Sequence, residues 1–195
     1  RKVNINRGSI NMNKLLKRIY LYTNKSQIII KNPSNTARIK YLLKKYPNAK
    51  FIHIYRNPVY VYLSTSKFFS ELFPSVNLQN IDDKLLHDLI IYNYREMYKD
   101  YYEQKKLIPK ENLIEIKFED FKKDSLSYLN KIHKKFDLEL SKELLSEYIS
   151  YLDSQKSHKM NTYKIDKSIL DEIKKEYSIS FNRMKYDIPK NLDIN

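Results

Sequence analysis

Basic side chains follow two apolar segments that are typical of buried parallel strands. Lys31 ends residues 27–31 (QIIIK), and Arg56 comes directly after residues 50–55 (KFIHIY). Such short, continuous apolar runs indicate strands that are covered on both faces. Because ligands bind outside the carboxyl ends of the strands in an open parallel sheet, we expect Lys31 and Arg56 to point into one crevice.

A hydroxyl side chain joins Arg56 in this predicted site. Ser64 lies eight residues beyond Arg56, about two turns into a helix that Asn57 and Pro58 are predicted to begin. It therefore shares a helix face with Asn57 and Tyr60. An arginine that can bind bidentately, with a hydroxyl donor beside a helix N-terminus, predicts a site for a dianionic phosphate.

The composition excludes several other kinds of site. Gly8 is the single glycine, so neither a GxGxxG motif nor a Walker loop is present. There is no cysteine, and the four histidines are scattered, so we expect no metal. Phosphate chemistry in this chain must therefore depend on side chains and helix ends.

The order of predicted elements indicates an α/β fold. Strand, helix, strand and helix follow one another with short connections, which predicts a parallel sheet flanked by helices, and the C-terminal half is predicted to be helical. We expect one domain over 1–195, with its core at 27–121 and a helical part at 122–195. The predicted strands are 27–31, 50–55 and 113–117. The predicted helices are 10–23, 37–46, 57–73, 82–106, 125–137, 140–152 and 167–177. A loop is predicted at 153–166.

The stretch IIIKNPSNTARIKYLLKKYPNAKFIHIYRNPVYVYLSTSKFF, residues 28–69, resembles the core of sulfotransferases that use 3′-phosphoadenosine 5′-phosphosulfate (PAPS). That family has a Lys-x-Pro-type turn, a strand resembling FPDAKFIHIHRDP, and an arginine and a serine eight residues apart that bind the 3′-phosphate. The resemblance implies that Arg56 and Ser64 bind this phosphate. It also implies that Lys31 is the catalytic residue that contacts the cofactor or the transferred sulfuryl group.

Two later segments extend the resemblance. Residues 118–121 (FEDF) resemble the family's YEDL segment, which implies that Phe118 lies against the adenine. We expect Glu119 and Asp120 to cap the next helix and to orient their neighbours rather than to react. The basic residues Lys156, His158 and Lys159 resemble a stretch near the family's C-terminus that helps to hold the cofactor phosphates.

The chain departs from the family pattern in its N-terminal part. The resemblance implies a P-loop nucleotide-kinase-like architecture, but the Ser-Gly-Thr-Thr-like loop that grips the 5′-phosphosulfate is missing. The family's general base is not identifiable either, since Asn32, Pro33 and Asn35 occupy the turn where some members have histidine. The sequence is either the C-terminal part of a sulfotransferase or a degenerate member, and we favour the first reading.

The expected function is transfer of a sulfuryl group from PAPS to a hydroxyl or amine of a small-molecule, carbohydrate or protein acceptor, leaving the bisphosphate PAP. The alternative is a catalytically inactive basic module that binds nucleotide or nucleic acid, which the formal net charge of +14 would suit. We expect no specific nucleic-acid partner, because the predicted site lies at strand ends rather than on one basic face. No apolar run approaches the roughly 20 residues needed to cross a bilayer, so we expect a soluble, by default cytoplasmic, domain.

Overall fold

The structure is a computed structural model that describes residues 5–23, 27–76, 81–156 and 163–195, with side chains from residue 12 onwards. The chain divides into two compact units, Arg1–Pro33 and Ser34–Asn195. Each unit is described by itself.

The first unit contains one helix and an extended segment. Helix α1, Ile5–Thr23, confirms the predicted helix at 10–23 and begins earlier. The predicted strand at 27–31 is wrong: these residues are irregular and exposed, and Ile29 is 88% exposed. A buried parallel strand needs a hydrogen-bonded neighbour and cover on both faces, and among the described residues this segment pairs with no strand.

The second unit is built on two parallel strands. β1, Phe51–Tyr55, pairs with β2, Leu113–Lys117, in a register that runs from Phe51↔Leu113 to Tyr55↔Lys117. Both predicted strands are confirmed, and so is their parallel direction. The expectation that a strand at 27–31 would lie beside β1 is wrong for the same reason as above, since 27–31 forms no strand.

Helices surround this small sheet, which makes the fold α/β and rich in helix. The long helices confirm the sequence-based predictions with boundaries shifted by a few residues, whereas α5, α9 and a second sheet, which pairs β3 with β4 in parallel, were not predicted. The elements are α2 Ile39–Lys45, α3 Pro58–Val76, α4 Asp83–Gln104, α5 Phe118–Lys123, α6 Ser125–Phe136, α7 Lys142–Ser154, β3 Lys164–Ile165, α8 Lys167–Glu176, α9 Ser178–Met184 and β4 Asp193–Ile194.

The start of α3 follows directly from the sequence Asn57-Pro58. The Asn57 Oδ1 atom accepts a hydrogen bond from the Val59 backbone N–H at 3.0 Å, and its carbonyl accepts from Val61 at 3.1 Å. Asparagine is a strong N-cap, and proline suits the first helical position because its missing N–H is not needed there. The cap holds the backbone turn immediately after β1 in one conformation.

The two faces of the sheet pack against different clusters. On one face, His53 contacts the rings of Tyr98 and Tyr101 of α4, which belong to the main core. On the other face, Ile116 of β2 packs into a smaller cluster with α6, while Ile52 and Ile54 of β1 are 43% and 49% exposed. The sheet is therefore fixed in place mainly by α4 and α6, and these helices hold the strand ends in position.

Candidate functional site

Arg56 lies at the carboxyl edge of the sheet beside the residue that follows β2. Because Tyr55 pairs with Lys117, the chain leaves both strands at the same level, and Arg56 and Phe118 are neighbours. The guanidinium carbon of Arg56 is 5.0 Å from the centroid of the Phe118 ring and 5.1 Å from that of Tyr60. Arg56 thus lies against two aromatic rings, one in the first turn of α3 and one at the start of α5.

The guanidinium of Arg56 has no carboxylate within salt-bridge distance among the residues that the structure describes. Arg95 shows the contrast, since it forms ion pairs with Glu96 at 3.1 Å and with Glu176 at 2.6 Å. Aromatic contacts orient an arginine without using its N–H donors. The fork of Arg56 therefore remains available to an anion.

Ser64 lies on α3, eight residues beyond Arg56, which precedes this helix. Its hydroxyl donates to the Val61 carbonyl at 3.1 Å, a bond within the same helix. Helical spacing places Ser64 on the Asn57 face, but the hydroxyl must rotate away from Val61 before it can donate to a ligand. Its role in phosphate binding stays a prediction.

The roles of the other predicted site residues, Lys31, Lys156, His158 and Lys159, stay predictions. Lys31 is an exposed residue of the first unit. Lys156 is exposed and forms an ion pair with Asp153 at 2.7 Å, and His158 and Lys159 lie outside the described residues. The ring of Tyr163, which follows these basic residues in the sequence, is 6.4 Å from that of Tyr60.

A segment near the C-terminus contributes residues to the site that the sequence did not reveal. We call residues 185–192 the C-terminal segment. The Asn57 Nδ2 atom donates to the Asp187 carbonyl at 2.8 Å, and the Tyr60 hydroxyl donates to Asn191 Oδ1 at 2.6 Å. These contacts join residues about 130 positions apart, and no local pattern in the sequence indicates them.

Glu119 connects the same segment to the turn after β1. Its Oε1 atom accepts a hydrogen bond from the Asn57 backbone N–H at 3.4 Å, and its Oε2 atom accepts one from the Tyr186 hydroxyl. Burial, followed by the hydrogen bond to Glu119, raises the pKa of Tyr186, so its hydroxyl remains a donor at neutral pH. The expectation that Glu119 orients its neighbours fits this arrangement. The expectation that Glu119 and Asp120 cap the next helix is wrong, because Asp124 caps α6 by accepting from the Ser127 N–H.

A second polar cluster lies in the middle of the strands, where His53, Tyr55 and Glu115 line a pocket. His53, the Tyr101 hydroxyl and the Lys105 ammonium lower the pKa of Glu115 to about 2. The His53 Nδ1 to Glu115 Oε1 distance is 3.8 Å, longer than a hydrogen bond, whereas Tyr101 donates at 2.7 Å and Lys105 at 3.1 Å. We therefore attribute most of the lowering to Tyr101 and Lys105, and Glu115 is an ionised anchor between β2 and α4.

The residues around Arg56 suit a phosphorylated nucleotide. A free guanidinium fork can bind phosphate through two parallel hydrogen bonds, and an aromatic ring beside it offers a face for a base. The described part of the chain contains no group of three or more His, Cys, Asp or Glu residues that could hold a metal. It also contains no helix long and apolar enough to cross a membrane.

Comparison with known proteins identifies the class to which this fold and site belong. The model described as the Sulfotransferase family matches residues 9–142, more than half of the chain. The chain belongs to the sulfotransferase family, as the resemblance of residues 28–69 implies.

Particular relatives are mycobacterial. The omega-hydroxy-beta-dihydromenaquinone-9 sulfotransferases Stf3 of Mycobacterium bovis and Mycobacterium tuberculosis are each 30% identical over 162 residues, which is 82% of this chain and 42% of theirs. The crystal structure of sulfotransferase STF9 from Mycobacterium avium has the same fold, with a TM-score of 0.67 and 18% identity over 83% of this chain and 42% of that one. The chain thus spans less than half the length of these relatives.

Proposed function

We propose that this chain is the part of a PAPS-dependent sulfotransferase that binds the 3′-phosphate of the nucleotide. PAPS carries the sulfuryl group that transfer would deliver to an acceptor hydroxyl or amine, leaving PAP. The proposed architecture is the P-loop nucleotide-kinase-like sheet of the family, with β1 and β2 as two of its strands, in one domain over 1–195.

The observation that carries this proposal is that Arg56 is oriented by aromatic rings and has no described carboxylate partner. Two rings hold its guanidinium at 5.0 and 5.1 Å, and no described carboxylate neutralises it. An arginine that is oriented and lacks an ion-pair partner gains more from a phosphate dianion than one that is already paired. The N-terminus of α3 adds its partial positive charge on the same side of the turn.

Further residues complete the proposed nucleotide site. Ser64 would donate one hydroxyl to the 3′-phosphate, and Phe118 would offer its outer face to the adenine. The basic loop with Lys156, His158 and Lys159 would approach the phosphates from the side of Tyr163, whose ring already lies near Tyr60.

For the acceptor we propose only the chemical group that is sulfated. The Stf3 relatives act, by their names, on an omega-hydroxy menaquinone derivative, which supports a hydroxyl acceptor for this protein too. Lys31 would contact the sulfuryl group or the cofactor. Because Gly8 is the single glycine, the 5′-phosphosulfate would need donors other than a glycine-rich loop in these residues.

Calorimetry with two ligands tests the phosphate site. PAP carries the 3′-phosphate and adenosine 5′-monophosphate (AMP) lacks it, so the wild-type chain should prefer PAP. Replacing Arg56 with alanine should cost about 2–4 kcal/mol, or on the order of 30- to 1000-fold in PAP affinity, with AMP binding nearly unchanged.

Arg183→Ala is the matched control for charge. It removes one positive charge from an exposed arginine of α9 and should leave the preference for PAP intact. If Arg56→Ala binds PAP as well as the wild type does, the phosphate is not bound by Arg56.

A further inference from the structure

The C-terminal segment contacts every element that holds Arg56. It reaches the turn after β1 through Asn57, the first turn of α3 through Tyr60, and the start of α5 through Glu119. Arg56 itself stacks on residues of two of these elements. The position of its guanidinium therefore depends on a segment that makes no contact of its own with Arg56 among the described residues.

Glu119 is the residue in which these contacts meet. One carboxylate oxygen accepts from the backbone N–H of Asn57, directly after Arg56, and the other accepts from the Tyr186 hydroxyl. Asn57 is 6% exposed, and its side chain caps α3 and bonds the Asp187 carbonyl. Two adjacent hydrogen-bonded links thus tie the Arg56 turn to the C-terminal segment.

The ring of Tyr186 is held in place by contacts with the last residues of both strands. The Lys117 ammonium lies 4.4 Å from its centroid, and the Tyr55 ring packs edge-on at 6.1 Å. Both residues end strands of the sheet, so the Tyr186 hydroxyl is aimed at Glu119 from a rigid base.

We propose that Glu119 and Tyr186 are positioning residues that lock the Arg56 turn for 3′-phosphate binding, an inference that rests on the proposed function. Neither side chain binds the nucleotide. Glu119 holds the backbone beside Arg56, and Tyr186 holds Glu119, so loss of either lets the guanidinium move between orientations.

The direction in which PAP affinity changes when Glu119 is removed distinguishes a positioning role from a purely electrostatic one. A carboxylate near a phosphate site repels the phosphate, so a Glu119 that acted only by its charge would weaken PAP binding, and its removal would strengthen it. A Glu119 that positions Arg56 has the opposite effect, because its removal weakens binding. Glu119→Gln keeps an acceptor for Asn57 and a hydrogen-bonding group for Tyr186, and it should therefore rescue the loss.

The experiment measures PAP and AMP affinity by calorimetry for the 195-residue chain and four variants. We expect Glu119→Ala and Tyr186→Phe to weaken PAP binding about three- to tenfold with little change for AMP, as for loss of one hydrogen bond. Glu119→Gln should bind PAP at least as well as the wild type. The control is Tyr151→Phe on α7, a tyrosine that is 65% exposed, and it should change nothing.

Hydrogen exchange provides a second readout that needs no ligand. The backbone amides of Asn57 and Val59 should exchange faster in Tyr186→Phe than in the wild type, and at the wild-type rate in Tyr151→Phe. Unchanged exchange at these amides, or stronger PAP binding by Glu119→Ala, overturns the inference. If the wild type does not prefer PAP over AMP, the proposed phosphate site is wrong. The hydrogen-exchange rates of Asn57 and Val59 then decide by themselves whether Glu119 and Tyr186 lock the turn.

Discussion

Two arginines of this chain have different surroundings, and this difference is the reason for proposing that one of them binds phosphate. Arg95 pairs with Glu96 and Glu176, which raise its pKa. Arg56 instead lies against the rings of Tyr60 and Phe118. Stacking contributes about 1 kcal/mol at partly exposed sites and leaves all the N–H donors free. A phosphate can then bind without first breaking an ion pair.

Ser64 should contribute less to PAP affinity than Arg56. Its hydroxyl already donates to Val61, so donation to a phosphate exchanges one hydrogen bond for another. We expect Ser64→Ala to weaken PAP binding by about 1 kcal/mol or less, measured by calorimetry. Ser70→Ala is the control, because Ser70 makes the same kind of bond to Lys67 at 2.9 Å on the same helix. Equal effects of the two variants would show that Ser64 does not contact the phosphate.

Glu115 should make the stability of the fold depend on pH. Its pKa is lowered to about 2 from 4.5, so the ionised carboxylate stabilises the fold above about pH 4.5, and this contribution is lost as the pH falls towards 2. Since 36% of the side chain is exposed, solvent screening limits the contribution to about 1 kcal/mol. Urea unfolding of Glu115→Gln should show this loss at pH 7 and a shrinking difference from wild type towards pH 3.

Glu103→Gln is the control for that pH series, since Glu103 is exposed and forms no ion pair with another described residue. Its unfolding free energy should follow that of the wild type at every pH. A Glu115→Gln difference that persists undiminished at pH 3 would contradict the assigned role.

Only part of the site could be predicted from the sequence. The spacing of Arg56 and Ser64 and the position of Phe118 at a strand end are local patterns, and the structure does bring Arg56 and Phe118 together. Tyr186 could not be found this way, because its contact with Glu119 joins residues 67 positions apart. Contacts of that range depend on tertiary packing, which one sequence does not encode as a pattern.

The elements show the same division between local and long-range causes. Residues 50–55 and 27–31 have similar apolar runs, yet only the first forms a strand, because only β1 has a partner in the described sheet. Helix α4 was predictable from its periodicity, and Asp82 caps it by accepting from the Leu85 N–H at 2.7 Å. β3 and β4 have two residues each, too few to show alternation.

A left-handed residue at the end of α9 offers a test at the level of elements. Lys185 has φ 54° and ψ 53°, a conformation that costs a residue with a Cβ about 1 kcal/mol or more. Lys185→Gly should therefore raise the free energy of unfolding by about 0.5–1 kcal/mol in urea titrations. Lys185→Ala keeps the Cβ and should give no such gain. A destabilised glycine variant would show that Lys185 makes a contact that matters more than its backbone.

At the scale of the whole molecule, the described sheet has an edge at β1 to which a further strand could pair. Among the described residues β1 is hydrogen-bonded to β2 alone, and its Ile52 and Ile54 are nearly half exposed. The relatives that define the family are more than twice as long as the region they share with this chain. The chain contains candidate residues for binding the 3′-phosphate, Arg56 and Ser64, but its sequence contains no glycine-rich loop that could bind the 5′-phosphosulfate.

The isolated 195-residue chain should therefore bind PAP yet turn over little or no PAPS. Sulfuryl transfer develops negative charge on the leaving phosphate, and removing even one donor at such a position typically lowers rates about 100- to 1000-fold. In the proposed site Arg56 would contact the other end of the nucleotide, so it would support affinity without stabilising that charge. The measurement is PAP release from PAPS with a panel of hydroxyl acceptors, with full-length Stf3 and its own acceptor as the positive control. Calorimetric PAP binding by the same preparation shows that the chain is folded. Robust PAP release by the chain alone would mean that side chains and helix ends replace the glycine-rich loop.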